Sequence, residues 1–440
     1  MANSSATSLA ALPALPLPAP RFGHPGAAPG AATLIQRAER VGLAEHHADT
    51  PAVKLLRDTL LDAAARGASD IHLEPAERDW RIRLRIDGML HEVSRPPTHL
   101  HDALVTRIKV LARLDIAERR TPQDGRLRLP LALGRVEEYR VNSLPTLYGE
   151  KLVLRRLDAQ PTRLSLEALG LSELQQATLS AALTAPHGML LVTGPTGSGK
   201  TVSLYCFLQM LNAVSLNLCS VEDPVEIQLA GVNQVSVRDK AGLTFASVLR
   251  AFLRQDPDVI MVGEIRDPET ADVAVKAAQT GHRVLSTLHT NDAPATLARL
   301  LDIGVAPFNL ASAVRLITAQ RLLRKLCPSC RVAGTLSRQE LLAAGFAAEE
   351  SGRDWAAFTP GGCAACHGIG YRGRIGIHQV MPISGAMREI IVARGSARAL
   401  ARQARNVGVL SLRDAALASV RAGTPRLAEA LAATEAPDAS

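Results

Sequence analysis

The pattern of apolar and polar positions divides the chain into segments with different periods. Residues 52–65 carry apolar side chains at the spacing of an amphipathic helix, and a second helix is predicted near residues 102–114. Alternating or apolar runs typical of β-strands occur at residues 70–74, 80–86 and 89–93, with further strands through residue 157. This order of elements predicts a small α+β domain over residues 51–158.

After residue 164 the pattern changes to strands that alternate with helical segments. Helical periodicity runs through residues 165–183 and 244–254. The apolar strands lie at residues 189–192, 219–221, 259–262 and 284–287. Continuous apolar strands joined by helices are typical of a parallel sheet that is covered on both faces. We therefore predict an α/β domain over residues 165–326.

The remaining segments have simpler patterns. Residues 1–50 are rich in Ala, Pro, Gly and Ser and predict a flexible low-complexity segment, because they cannot bury enough apolar surface to offset chain ordering. The polar stretch 159–164 predicts a linker between the two domains. Helical periodicity predicts a helical C-terminal region over residues 377–440.

Composition narrows the class of protein. The 440 residues are 47% hydrophobic and 21% charged, which excludes a wholly disordered chain. There are 50 basic and 42 acidic residues, so the formal charge of +8 favours phosphate or anionic-lipid partners without identifying one. No run approaches the roughly 18–20 uninterrupted apolar residues of a membrane span, and the start lacks the basic region of a secretory signal. We expect a cytosolic protein.

The strongest motif follows the strand at residues 189–192 and precedes a helical run. It is a glycine-rich loop that ends in Lys and a hydroxyl residue: Gly194, Pro195, Thr196, Gly197, Ser198, Gly199, Lys200 and Thr201. Backbone N–H groups of such a loop converge on phosphate oxygens, Lys200 neutralises the terminal phosphates and the Thr201 hydroxyl ligates Mg²⁺. The sequence therefore predicts a nucleoside triphosphate site that uses magnesium.

Polar side chains follow the other strands of the predicted sheet. Glu264 comes after the strand at residues 259–262 and is the candidate base that orients the attacking water. Acidic residues after the strand at 219–221, and two histidines around the strand at 284–287, are candidates to hold Mg²⁺ through water and to sense the γ-phosphate: Glu222, Asp223, Glu226, His282 and His289. The alternative for each of these groups is a solvated strand end, a helix cap or a turn.

Two arginines in the predicted helix 244–254 suit phosphate binding. Arg250 and Arg254 are four residues apart and therefore share one helix face, opposite the apolar residues. The alternative is a solvated basic stripe.

Four of the six cysteines form two CxxC pairs that are separated by 32 residues: Cys327, Cys330, Cys363 and Cys366. Two pairs in a cytosolic chain favour a structural zinc site, because four thiolates leave no open coordination position. The alternative is a redox pair. We predict a four-cysteine zinc module over residues 327–376 and assign no role to Cys206 and Cys219.

Together these motifs resemble the secretion ATPases of the type II secretion and type IV pilus assembly systems. The resemblance spans about residues 53–383. Besides the phosphate loop and the cysteines, it rests on residues 67–75 (GASDIHLEP), 85–88 (RIDG), 117–126 (AERRTPQDGR), 144–151 (LPTLYGEK), 221–226 (VEDPVE), 254–267 (RQDPDVIMVGEIRD), 280–292 (TGHRVLSTLHTND) and 370–374 (GYRGR).

The resemblance implies a homohexameric ring in which the amino-terminal domain is hinged to a RecA-like ATPase domain and ATP binds between them. Glu264 would be the Walker B glutamate, Glu222 to Glu226 the acidic box, and His282 and His289 the histidine box. Arginines from both domains would reach the nucleotide: Arg126, Arg140, Arg250 and Arg254.

The function implied by the resemblance is ATP hydrolysis that drives pseudopilin or pilin assembly through an inner-membrane platform protein. Such a motor would be cytoplasmic and peripheral to the inner membrane, where acidic lipids could attract its positive charge. One alternative is a nucleic-acid-translocating motor, but aromatic residues make up only 3% of the chain and no nucleic-acid partner is expected. The others are a nucleotide-gated scaffold and a pilus retraction ATPase; the retraction branch lacks the four-cysteine module.

Overall fold

The computed structural model describes residues 50–130, 136–157, 165–347 and 357–435. Residues 1–49 of the predicted low-complexity segment and the whole predicted linker, 159–164, lie outside these ranges.

The first sheet belongs to an α+β domain, as predicted. Its elements are α1 (Pro51–Ala65), β1 (Asp70–Pro75), β2 (Trp80–Ile86), β3 (Met89–Ser94), α2 (Leu100–Leu111), β4 (Gln123–Pro130), β5 (Val136–Thr146) and β6 (Gly149–Leu157). The six strands have the order β3-β2-β1-β6-β5-β4. The Thr50 side chain caps α1, with Pro51 in its first turn. Helix α2 ends before residue 114, the predicted end, and Arg113 beyond it has a left-handed backbone with φ 58°.

The two faces of this sheet differ in polarity. Along β2 the residues Trp80, Ile82, Leu84 and Ile86 are buried in the domain core with residues of α1 and α2. The alternate positions carry arginines, because successive side chains of a strand point to opposite faces. One of these, Arg83, donates to the buried Glu74 carboxylate at 2.8 Å.

A buried ion pair joins α2 to β6. The Lys109 Nζ lies 2.8 Å from Glu150 Oε1, and it also donates to the Glu118 carbonyl oxygen at 2.7 Å. Both side chains are buried, Lys109 almost completely. Because little water reaches this position, each charge is stabilised mainly by the other.

The second sheet has seven strands and spans most of the rest of the chain. Its elements, with those of the C-terminal part, are α3 (Glu173–Leu183), β7 (Gly188–Thr193), α4 (Lys200–Leu211), β8 (Leu218–Glu222), β9 (Val232–Ser236), α5 (Phe245–Phe252), β10 (Val259–Val262), α6 (Pro268–Gln279), β11 (Arg283–Leu288), α7 (Ala293–Asp302), α8 (Pro307–Ala313), β12 (Val314–Leu326), β13 (Val332–Gly334), α9 (Arg338–Ala344), β14 (Ala357–Thr359), β15 (Tyr371–Pro382), α10 (Gly385–Val392), α11 (Ala397–Asn406), α12 (Leu412–Arg421) and α13 (Leu427–Ala433). The strand order is β15-β12-β7-β11-β10-β8-β9.

Helices cover this sheet on both faces, as the continuous apolar strands predicted. Alternate residues of β7 belong to two different cores: Met189 and Leu191 to one, Leu190 and Val192 to the other. The first core includes residues of α5 to α8 and of the C-terminal helices α10 to α13, and the second includes residues of α3 and α4. The α/β fold class is therefore confirmed.

Several elements differ from the sequence-based expectation. The predicted helix over 165–183 is a 3₁₀ turn, Glu167–Leu169, followed by α3, because Gly170 adopts φ 81° between them. Strands β9 and β12 were not predicted. β12 has no clean alternation because it lies between two strands inside the sheet, with most of its residues buried.

Strand β15 runs across the predicted boundary between the zinc module and the helical C-terminal region at residues 376 and 377. It pairs antiparallel with β12, so the sheet is mixed rather than wholly parallel. Helices begin only at Gly385. Within the described ranges, no helix is long and apolar enough to cross a membrane.

We predict that Glu150→Ala lowers the free energy of unfolding by about 3–5 kcal/mol, because it leaves the Lys109 charge buried without its partner. Glu77→Ala, at an exposed position in the same domain, is the control and should change stability by less than about 0.5 kcal/mol. Urea unfolding of the full chain measures both values. A Glu150→Ala effect as small as that of the control would contradict the prediction.

Candidate nucleotide site and four-cysteine site

The phosphate loop, residues 194–201, connects β7 to α4 in a conformation that requires glycine. Gly194 has φ 150°, and a Cβ there would lie 2.5 Å from the Gln320 carbonyl oxygen. Gly199, with φ 88°, turns the chain into α4. The first N–H groups of a helix have no acceptor within that helix, so a loop of this shape can hold phosphate oxygens.

Lys200 points into the loop. Its side chain is buried, and Nζ donates to the carbonyl oxygens of Gly194 at 2.9 Å and Pro195 at 3.1 Å. Burial lowers the pKa of Lys200; the charge of Glu264 opposes the shift and that of Arg321 adds to it. A phosphate group at the loop would provide the anionic partner that this ammonium needs.

Gln320 on β12 hydrogen-bonds the phosphate loop. It was not among the residues predicted from the sequence. Its Nε2 donates to the Ser198 carbonyl oxygen at 2.7 Å, and its Oε1 accepts from the Ser203 hydroxyl of α4 at 2.8 Å. The side chain is buried, so both contacts are protected from water. No motif signalled this residue because β12 itself was not predicted.

Glu264 lies beyond the end of β10 at the same edge of the sheet. Its carboxylate pairs with Arg266 and lies 3.4 Å from His289 Nε2. Arg266 also lies 3.7 Å from Asp223, so it bridges two of the predicted acidic groups. The structure thus brings Lys200, Glu264, His289 and Asp223 to one edge, as parallel strand ends require. Arg266 lies in the motif at residues 254–267, but the sequence analysis assigned it no role.

The end of β11 is fixed to β7 just before the phosphate loop. The Thr193 hydroxyl donates to the Leu288 carbonyl oxygen at 3.1 Å and accepts the Thr290 N–H at 3.1 Å. These bonds position His289 between them.

The three residues of the acidic box have different surroundings. Glu222 is buried and accepts hydrogen bonds from Tyr205, Ser220 and Gln234. Asp223 is exposed next to Arg266. Glu226 reaches solvent, yet the surrounding protein atoms raise its pKa, as does the charge of Glu222, while Arg155 of the first domain lowers it.

The predicted arginines are paired on the surface of the subunit. Arg126 lies 3.6 Å from Glu138, and Arg140 lies 3.4 Å from Asp124. On the second domain, Arg250 pairs with Glu269 at 2.7 Å, and Arg254 donates to the carbonyl oxygen of Arg250 at 3.0 Å. Within the described residues, none of these four arginines forms a hydrogen bond or ion pair with the phosphate loop.

His282 lies at the end of the strands opposite to the phosphate loop. It precedes β11, and its carbonyl oxygen accepts the N–H of Gly188 at the start of β7. The phosphate loop follows the other end of β7, about 20 Å away at the usual rise of a strand. The whole of β11 therefore lies between His282 and His289, the two residues of the predicted histidine box.

The four predicted zinc ligands converge. The Sγ atoms of Cys327, Cys330, Cys363 and Cys366 all lie within 4.8 Å of one another. Three of the Sγ–Sγ distances are 3.9, 3.8 and 3.8 Å. A tetrahedral site with Zn–S bonds of about 2.3 Å needs sulfurs about 3.8 Å apart. The residues therefore fit a structural zinc ion.

Backbone N–H groups support the sulfurs. Gly362 N donates to Cys330 Sγ at 3.2 Å, and Gly370 N donates to Cys366 Sγ at 3.1 Å. Such bonds stabilise thiolates around a metal ion. Cys206 and Cys219 are buried elsewhere, and burial raises the pKa of both thiols.

The cysteine cluster closes the end of the β12–β15 pair. Cys327 directly follows β12, and Cys363 and Cys366 precede β15. β12 therefore connects the cysteine cluster at its end to Gln320, which hydrogen-bonds the phosphate loop.

Comparisons with known proteins show extensive similarity to one family. A family model described as "Type II/IV secretion system protein" matches residues 45–432. The chain is 51% identical to the "Type IV pilus assembly ATPase PilB" of Pseudomonas aeruginosa over 381 residues, which are 87% of this chain and 67% of that protein. It is 46% identical to the "Type II secretion system protein E" of Dickeya dadantii over 387 residues, 88% of this chain and 76% of that protein.

Among solved structures, the pilus retraction motor PilT with bound ADP superposes with a TM-score of 0.59. It is 25% identical, with 86% of this chain and 97% of that chain covered. The chain spans about two thirds of the length of the pilus assembly relative described above.

We predict that the purified native protein contains about one zinc ion per chain and that Cys327→Ser lowers this to well below half, because three thiolates hold the metal more weakly than four. Cys206→Ala removes a buried thiol outside the cluster and should keep the full zinc content. Elemental analysis measures all three proteins. A native protein without zinc, or a Cys327→Ser variant with full zinc content, would contradict the assignment.

Proposed function

The chain belongs to the type II/IV secretion system protein family, and on that premise we propose that it is the ATP-hydrolysing motor of a type II secretion or type IV pilus assembly apparatus. The observation that carries the proposal is the edge of the second sheet where the Lys200 ammonium, the Glu264 carboxylate and His289 meet beside a glycine-rich loop. This arrangement suits phosphoryl transfer to water.

In the proposed site, the loop and Lys200 bind the phosphates of ATP, and the Thr201 hydroxyl, Asp223 and Glu226 hold Mg²⁺ directly or through water. Bound Mg²⁺ neutralises phosphate charge. Three hydrogen bonds occupy the Glu222 carboxylate. Glu222 therefore supports Asp223 and Glu226 from the protein interior.

Glu264 orients the attacking water and accepts its proton. Its carboxylate forms an ion pair with Arg266, which fixes the side chain at the end of β10. His289, 3.4 Å from Glu264, lies where it can sense the state of the nucleotide.

Arg126, Arg140, Arg250 and Arg254 complete the site only after the domains rotate or a neighbouring subunit binds. Their present partners are two exposed carboxylates, the half-buried Glu138 and a backbone carbonyl oxygen, which form weak and exchangeable contacts at the surface. We therefore propose a homohexameric ring in which these guanidiniums neutralise the charge that develops on the phosphates. Because His282 lies at the opposite end of the strands, we assign it no role at the nucleotide site of its own subunit.

The motor would act at the cytoplasmic face of the inner membrane. We propose that it contacts a platform protein there and that its positive charge favours peripheral association with acidic lipids. The retraction motor is the less favoured alternative, because it is 25% identical to this chain whereas the assembly and secretion relatives are 51% and 46% identical. A nucleic-acid motor is disfavoured by the scarcity of aromatic residues.

We predict that Glu264→Gln abolishes turnover, with kcat reduced at least about a hundredfold, while ATP binding stays within about threefold of wild type. Lys200→Ala is the matched contrast and should lose binding itself, because the phosphates lose their cation. Steady-state phosphate release and fluorescent-nucleotide titration separate the two effects. Normal turnover in Glu264→Gln would exclude it as the base, and a wild type that binds but never hydrolyses ATP would favour the scaffold alternative.

We also predict that affinity capture of the tagged protein from its own cell membranes, in mild detergent, recovers a polytopic platform protein together with pilin-like subunits. The identity of those subunits would distinguish a secretion apparatus from a pilus. Recovery of nucleic acid and its processing proteins instead would overturn the assembly-motor proposal.

A further inference from the structure

Tyr205 connects the helix after the phosphate loop to the acidic box through buried hydrogen bonds. The tyrosine lies in α4, which begins at Lys200, and its side chain is fully buried. Its hydroxyl donates to Glu222 Oε2. The Tyr205 hydroxyl oxygen also accepts the backbone N–H groups of Glu226 and Ile227, each at 3.3 Å. One hydroxyl thus holds both the end of β8 and the loop beyond it.

The network around Tyr205 is fully satisfied and hence rigid. The other oxygen of Glu222 accepts from Ser220 at 2.6 Å and from Gln234 at 3.1 Å. Gln234 also donates to the Ile227 carbonyl oxygen at 3.0 Å. Burial and the adjacent Glu222 charge raise the pKa of Tyr205, so the hydroxyl stays protonated and remains a donor to the carboxylate. A buried network of this kind transmits displacement because breaking any bond leaves an unpaired polar group.

The charge of one residue of the first domain reaches the loop that Tyr205 holds. The charge of Arg155 on β6 acts on Glu226 and lowers its pKa against the effect of burial. Arg155 lies opposite Arg140 in the β5–β6 register. Glu226 of the loop that Tyr205 holds is therefore within electrostatic range of an arginine on a strand of the first domain.

We propose that Tyr205 is a positioning residue that couples α4 to the loop of residues 223–227, so that a change at the bound phosphates moves Glu226 relative to the first domain. Lys200 and Tyr205 lie on one helix, only about 7–8 Å apart along its axis, and move as a rigid unit. The inference rests on the proposed nucleotide site, and it assigns a mechanical role to a side chain that touches no substrate.

Tyr205→Phe tests this coupling because it removes the hydroxyl and keeps the buried ring. The measurement is amide hydrogen exchange of the full chain, with and without Mg²⁺ and a non-hydrolysable ATP analogue. In the wild type, the nucleotide should slow exchange both at the start of α4 and at residues 223–229. In Tyr205→Phe, the start of α4 should still respond, whereas residues 223–229 should exchange faster and lose their response.

Ser220→Ala is the matched control, since it removes a different hydrogen bond to the same Glu222 carboxylate and leaves the Tyr205 contacts to the loop in place. This variant should keep the nucleotide response of residues 223–229. An equal loss in both variants would overturn the proposal, because it would show that Glu222 alone matters. A wild-type loop that ignores nucleotide, or a Tyr205→Phe loop that responds normally, would also overturn it.

Turnover provides a second readout. Tyr205→Phe should lower kcat at least about tenfold and change KM less than about threefold, because the loop is misplaced while the phosphate loop is intact. In a Glu226→Gln background the same substitution should cause no further loss, and full additivity of the two effects would contradict the coupling. If the wild type hydrolyses no ATP, the proposed function fails, whereas the exchange experiment still decides whether Tyr205 couples the two elements.

Discussion

The position of β7 inside the second sheet, between β12 and β11, constrains most of this molecule. The strand is completely buried between two cores, so its backbone must pair on both sides and its side chains must be apolar on both faces. Polar groups can emerge only where the strand ends. That end is the phosphate loop, and the neighbouring strands β11 and β12 deliver His289 and Gln320 to the same edge.

Two buried polar side chains of the second domain, Gln320 and Glu222, each join several elements through hydrogen bonds. Gln320 forms hydrogen bonds with both the phosphate loop and α4. Glu222 accepts hydrogen bonds from three side chains that lie on three different elements. Because an unpaired buried polar group is costly, each network allows one arrangement of the elements that it joins. The consequence for function is that α4, the acidic box and β12 are coupled around the nucleotide site rather than independently mobile.

The cysteine cluster extends this constraint towards the C-terminal part. It closes the antiparallel β12–β15 pair at one end, and Gly373 N of β15 donates to Asp87 Oδ2 in the first domain at 2.7 Å. β12, which bonds to the phosphate loop, is thereby connected to the cysteine cluster and, through β15, to the other domain. The four arginines expected at the nucleotide lie outside these networks, on the surface, where they can change partners as a motor cycle requires.

The sequence by itself determined the elements whose signals are local: the glycine-rich loop after an apolar strand, the two CxxC pairs, the alternation of β2 and the fold class. These follow from backbone geometry and from periodicity, which neighbouring residues alone impose. The tertiary structure alone decided which polar groups meet. Gln320 and Tyr205 belong to no motif and act only because distant strands and helices place them beside the phosphate loop and Glu222. Arg266 lies in a motif, but only the structure shows that it pairs with Glu264 and approaches Asp223. It also decided that His282 is separated from His289, since a strand between two residues sends them to opposite edges of a sheet whatever their spacing suggests.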